Sequence, residues 1–347
     1  MKTFKQTDIN LDSYKYIIEN DGISVISRRF LSVTKSFIPF ENIGKEIIWE
    51  KERKLGWLII SAFFLILTLA VFYKRLSGSG HVGDTAEIFW LTLSLVFYII
   101  FAFKRKNNMF LLNVDKKNGI KFIGIKIYKK RLNHFIKELI QQRDQYLSVK
   151  YPTFEGLTID ENIFCINAEI KPCDGLFLKK QTKHSLEQMI FENEYSENKK
   201  PYGIKSLTTE QNAKKILKEY QNKLISEGKY IFINEFSGND YYLGLIGNID
   251  DPYKIMEFAE TNGINYDLET KDIIKKCKQW DKEFGIQLIG IGFDFCAFEI
   301  KNKNINYTKL AAEVYEFCPD IVEQGTDTVE ALESEIKKEG TIFLWWD

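Results

Sequence analysis

The sequence predicts an α+β membrane protein, in which a small β-rich domain is interrupted by a two-helix transmembrane hairpin and followed by a cytoplasmic α/β domain. Three observations lead there. Residues 56–73 and 88–103 are apolar runs without an Asp, Glu, Lys, Arg or His side chain, and as helices each approaches the roughly 30 Å of a bilayer core. Charge is divided unevenly, +12 over residues 1–150 and −12 over residues 151–347, although the whole chain sums to zero. Strand-like segments dominate around the apolar runs, whereas helical and strand-like segments alternate after residue 251. The organisation expected is a split β-rich domain (1–55 and 104–150), a hairpin (56–103), an α/β middle region (151–244) and a carboxyl-terminal α/β domain (245–347).

In chain order, YKYIIENDGISVISRR (14–29) reads as two short strands joined at Asn20, Asp21 and Gly22, residues that supply turn chemistry. A strand is expected at 35–40 and a further strand or turn at 41–49. Lys51, Arg53 and Lys54 precede the first apolar run, and Lys104, Arg105 and Lys106 follow the second. Basic residues collect on the cytoplasmic side, so both termini are expected there, with Lys74 and Arg75 in the loop opposing that orientation. Trp57, Tyr73, Trp90 and Tyr98 include interface anchors. About fifty mostly polar residues come before the first run, which argues against a cleavable signal peptide. With no charged residue inside either run, an ion or proton path has little support; anchoring is the expectation, and a pair of buried core helices is the competing one.

After the hairpin, residues 109–128 read as a strand, a turn at 117–119 and a strand. Leu132, Phe135, Ile136, Leu139, Ile140 and Leu147 then form one apolar stripe of a helix. With Phe37, Ile38, Pro39, Phe40 and Ile43 at a strand-to-turn segment, residues 13–148 resemble the bacterial pleckstrin-homology-like domains of small membrane proteins. That resemblance implies a lipid-facing role for Arg28, Arg29, Lys126, Lys129, Lys130 and Arg131; solubilising or topology-setting charge is the alternative.

In the acidic half, IFCINAEI (163–170) reads as a strand and KPCDG as the turn after it. Residues 194–201 read as a charged loop, 209–227 as a helix with Ala213, Ile216, Leu217, Tyr220 and Leu224 on one side, and 229–236 and 241–247 as strands. Asp251 and Pro252 suit a helix start. Helices are expected at 270–284, 307–318 and 328–338, and strands at 286–300 and 341–347, the former broken at Gly290 or Gly292. The acidic balance offers no general attraction to nucleic acid.

Four segments stand out: TNGINYD (261–267), GFDF (292–295), EVYEFCPDIVEQGT (313–326) and LWWD (344–347). Together they resemble an uncharacterised bacterial family, catalogued as domain of unknown function 4253, over residues 245–347. The resemblance implies a cytoplasmic α/β domain and no known reaction, with an association of some related proteins to bacterial conflict or immunity systems. Among its residues, Asp294, Asp320 and Asp347 are the candidate catalytic or metal-binding carboxylates, since acid and base roles can be divided between a carboxylate pair and hard cations take oxygen ligands. Gln324, Tyr266, Trp345 and Trp346 are candidate binding residues. Capping, turn formation, core packing or partner contact is the competing account of each of them. No cofactor is predicted; a divalent metal is the one addition compatible with the carboxylates.

Cys165, Cys173, Cys277, Cys296 and Cys318 lack zinc-knuckle spacing, and His81, His134 and His184 lie in no recognisable catalytic motif. The functional expectation is a membrane-tethered cytoplasmic interaction, regulatory or immunity protein of the bacterial inner membrane, multi-pass, with the lipid bilayer and a protein at the cytoplasmic membrane face as partners and no nucleic acid. A metal-assisted hydrolase or transferase using the three carboxylates, and a lipid-responsive scaffold, are the alternatives.

Overall fold

The computed structural model describes residues 3–7, 12–29, 32–53, 55–77, 85–103, 105–113, 119–123, 128–190 and 201–346. The chain divides into two compact units, Met1–Lys150 and Tyr151–Asp347.

In the first unit, β1 (Thr3–Thr7), β2 (Ser13–Ile18), β3 (Gly22–Arg29) and β4 (Ser32–Pro39) form an antiparallel four-stranded meander. A short 3-10 turn leads into β5 (Ile43–Arg53), which pairs antiparallel with β6 (Arg105–Asn113), and β6 pairs with β7 (Gly119–Ile123). Between β5 and β6 the chain makes α1 (Leu55–Leu76) and α2 (Ala86–Phe103). The stripe read from sequence then becomes α3 (Lys129–Lys150), which buries Leu132, Phe135, Ile136, Leu139 and Leu147. Tyr16, Ile23, Ile43, Leu111 and Phe122 meet this helix in one core. Gln6 links the two sheets: its amide donates to the Ile123 carbonyl at 2.8 Å and accepts from the Ile123 N–H at 2.9 Å, doing for β7 what another strand would do.

The helical pair corrects the largest expectation. Among the described residues, one helix, Leu58–Leu76, is long and apolar enough to cross a membrane, whereas the apolar part of α2, Ala86–Ile100, is shorter. At 1.5 Å per residue that part rises about 22 Å, well under a hydrocarbon core of about 30 Å. Absence of charge had suggested two spans; length separates them. A two-helix transmembrane hairpin is therefore not supported, and the multi-pass placement with both termini cytoplasmic loses its basis. So does the membrane-tethered interaction role that depended on it, because most of the described chain is β-sheet and helix packed on its own cores. Lys54, Lys104, Lys126 and residues 78–84 lie outside the described residues, as do the side chains of Arg29, 51–57 and 105–107.

The second unit is built on one mixed sheet. Its elements are α4 (Ile159–Asn167), α5 (Pro172–Thr182), β8 (Leu186–Ile190), β9 (Pro201–Thr209), α6 (Glu210–Ser226), β10 (Tyr230–Ser237) and β11 (Asp240–Ile246). They continue through α7 (Ile255–Ala259), α8 (Thr270–Phe284), β12 (Ile286–Ile291), β13 (Phe295–Ile300), α9 (Tyr307–Phe317), α10 (Val329–Glu339) and β14 (Thr341–Trp345). The strand order is β14-β13-β12-β10-β11-β9-β8, and it passes without interruption through residue 244. Only the β10–β12 pair is parallel; all other neighbours are antiparallel. The expected α/β domain is thus α+β: helices and strands do alternate, but β10–β11 and β12–β13 are hairpins rather than crossovers.

Alternation along the strands sends side chains to two cores. Phe232, Leu288, Phe298, Ile342 and Leu344 meet Cys277, Trp280, Leu310, Val314 and Ile336 of α8, α9 and α10. Ile204, Ile231, Leu243 and Leu245 meet residues of α4, α5 and α6. Trp280 is fully buried, and its indole donates to Glu313 at 2.9 Å, as a buried indole N–H ordinarily must. Residues 163–167, read as strand, are helical. Thr158 and Glu161 close a capping box at the start of α4, and Pro172 occupies the first turn of α5, where a turn had been expected.

Candidate functional site

The four segments singled out in the sequence come together at one end of the sheet, and mostly backbone groups join them. The turn after β12 holds Gly292, Phe293 and Asp294. Thr261 Oγ1 donates to the Gly292 carbonyl at 2.7 Å, the Asn262 N–H to the Phe293 carbonyl at 3.0 Å, and the Trp346 N–H to the Asp294 carbonyl at 3.0 Å. Each segment thereby fixes the position of another.

The stretch 321–326 is a single π-helical turn with Asp320 at its start, a conformation that recurs at functional sites. Asp320 is 3 % exposed. Its Oδ1 accepts from the Tyr266 hydroxyl at 2.5 Å and from Gln324 Nε2 at 3.0 Å. The carboxylate accepting its proton holds Tyr266 up to about 12, with partial burial adding in the same direction. The structure thus unites Asp320, Gln324 and Tyr266 in one hydrogen-bonded trio. Tyr266 sits in a tight turn closed by its own backbone, Gly263 N–H to Leu268 O at 3.0 Å and Leu268 N–H to Gly263 O at 3.1 Å.

Asp294 is different. Its side chain is exposed, and its contribution to the assembly is its carbonyl. Asp347 lies outside the described residues, so the three-carboxylate set expected from sequence is described only in part. Among the described residues no group of three His, Cys, Asp or Glu side chains is placed to hold a metal ion.

Trp345 and Trp346 part company because successive strand residues face opposite sides. Trp345 is half-buried beside Phe343, which continues through Phe295 to Phe236 as a chain of aromatic contacts. A side chain at Gly325 would meet the Trp345 ring at 3.0 Å, which brings the π-helical turn close against it. Trp346 enters the core against Phe317. Cys318 is buried and donates its thiol proton to the Trp345 carbonyl at 2.9 Å; burial pushes the thiol up to about 11, so it is not poised as a nucleophile.

Three participants were not singled out as candidates: Gly263, Ile264 and Phe293. A Cβ at Gly263 would stand 2.8 Å from Trp346 Cγ, so glycine permits the turn to lie on the indole. Ile264 is 78 % exposed and Phe293 62 % exposed. Their signal was present: each is a large apolar residue directly after a glycine in a turn, where burial is not available.

Residues 243–347 match the family described as Domain of unknown function (DUF4253), so the carboxyl-terminal region carries that domain. No curated protein and no solved structure matches the chain.

Proposed function

We propose that the second unit is a recognition domain, which binds a partner at the end of the sheet built by 261–268, 292–295, 318–326 and 344–346. The observation that carries this reading is the division of labour at that end. Asp320, Gln324, Cys318 and the backbone of Asp294 and Trp346 are spent on holding the segments together, while Ile264 and Phe293 are held out in water. Exposed apolar side chains on a hydrogen-bonded platform suit contact with another macromolecule. The buried, hydrogen-bonded Cys318 and the engaged Asp320 suit scaffolding better than turnover.

Within the same reading, the single apolar helix α1 supports association of the first unit with a bilayer; co-flotation of the chain with vesicles, lost when charged residues replace Leu65 and Leu69, tests it. For the recognition domain, a peptide and small-molecule panel would be screened by thermal shift against the full chain and against an Ile264→Ser, Phe293→Ser variant. Ligands that raise the wild-type midpoint, leave that of the variant unmoved, and are recovered chemically unchanged are expected. Conversion of a ligand to product, or equal shifts in both proteins, would contradict the proposal.

A further inference from the structure

Trp346 is 5 % exposed, and its indole Nε1 is a buried donor with no acceptor among the described residues. Trp280, equally enclosed, has Glu313. Native folds rarely leave such a group unmatched, and each instance calls for an explanation. The 263–268 turn lies on the ring of this indole: a Cβ at Gly263 would lie 2.8 Å from Cγ and 2.9 Å from Cδ1, the ring carbon bonded to Nε1. That turn is closed on itself by the two Gly263–Leu268 backbone bonds and tied at its tip by the Tyr266–Asp320 hydrogen bond. Displacing it as a unit would break the Tyr266–Asp320 hydrogen bond and keep the two backbone bonds inside the turn.

Charge defines what would come in its place. The segments 261–268, 292–295, 318–326 and 344–346 contain Asp267, Asp294, Asp320 and Glu323 and not one Lys or Arg. Asp267, Asp294 and Glu323 are exposed, alongside Ile264 and Phe293.

From these observations we infer that this end of the sheet binds a basic, extended peptide segment. A backbone carbonyl of the segment accepts the Trp346 Nε1 proton once the 263–268 turn swings aside. Lysine or arginine side chains meet Asp267, Asp294 and Glu323, and their aliphatic stems lie on Ile264 and Phe293. The inference rests on the recognition reading and adds the class of partner to it.

The test uses the full chain and dye-labelled, end-capped alternating lysine–alanine peptide, with glutamine–alanine and glutamate–alanine counterparts, read by fluorescence anisotropy. The lysine peptide is expected to bind tightest. Trp346→Phe keeps a ring and removes the donor, and should weaken that binding about five- to tenfold, as for one neutral hydrogen bond. Asp294→Asn with Glu323→Gln changes only exposed side chains, so no loss of folding can be blamed, and should weaken binding and flatten its salt dependence. Glutamate peptide binding as tightly as lysine peptide, or an unchanged affinity in both variants, would overturn the inference. If the glutamine peptide binds equally well and Phe293→Ser abolishes it, the recognition end stands and the basic class fails. If no peptide binding responds to Phe293→Ser, both fail.

Discussion

The paired helices α1 and α2 and the loop end of the second unit's sheet solve the same problem with opposite means. Both bring together chain segments that are far apart in sequence. In the helical pair the contact is apolar: Phe64 stacks on Trp90 and Phe97, and most outer side chains face outward without cover. Its polar contacts are few: Ser61 and Ser94 each donate to the other's carbonyl at 2.9 Å, and Arg75 pairs with Glu87 at 2.8 Å. At the loop end the contact is polar and directional, made by backbone N–H groups, the Thr261 hydroxyl, one carboxylate and one thiol. An apolar seam tolerates exchange of one hydrophobic side chain for another; a set of single hydrogen bonds does not. The loop end should therefore be the more sensitive of the two to point substitution.

The sharpest way to break that contrast is Asp320→Ala. Tyr266 and Gln324 lose their shared acceptor, and two hydrogen bonds to a charged group should cost about 2–4 kcal/mol of unfolding free energy in urea titrations. Asp320→Asn retains an acceptor and should cost less. Gly263→Ala comes next: its methyl would press on the Trp346 ring, an overpacking worth about 1–3 kcal/mol. A smaller effect is expected for the helical pair. Ser61→Ala and Ser94→Ala should each cost about 0.5–1.5 kcal/mol and combine nearly additively in a double-mutant cycle, since removing either hydroxyl leaves the other's bond to a backbone carbonyl in place.

The smallest effect is a matter of pH. Tyr266 is held up to about 12 in the folded protein, above the ordinary value of 10.0. As pH rises past 10 the unfolded chain releases this proton first, so the contribution is complete below pH 10 and is lost on the way to about 12. Tyr266→Phe should remove that step from the stability profile while leaving the steps of the buried Tyr16 and Tyr230 in place. Identical profiles for the two proteins would show that Tyr266 does not donate to Asp320 in solution.

Helices with local start signals were legible in the sequence. Thr209 caps α6 and Thr328 caps α10, each accepting from a backbone N–H three residues on. The α8 range was read correctly from Ile273, Cys277 and Trp280. The misreadings have physical causes. Ile163, Phe164 and Ile166 read as strand because β-branched and aromatic residues favour it, yet the Thr158–Glu161 capping box upstream sets a helix, a signal present in the sequence. Parallel or antiparallel pairing depends on whether a connection is a hairpin or a crossover, and the β12–β13 hairpin was hidden in what read as one strand broken at Gly290 or Gly292. The spacing of 261–267, 292–295, 313–326 and 344–347 did mark the candidate site. It could not reveal that backbone groups join these segments, since an N–H carries no sequence identity. Nor could it distinguish Trp345 from Trp346, whose fates depend on which side of β14 and its continuation each one faces.

The most direct test of the recognition reading is the indole resonance of Trp346 in protein labelled with nitrogen-15 at tryptophan, assigned by its disappearance in Trp346→Phe. Titration with the lysine–alanine peptide should move this resonance downfield in a saturable manner, as its proton gains an acceptor, while the Trp280 resonance stays in place. A Trp346 signal that remains fixed while the peptide binds elsewhere would contradict the account.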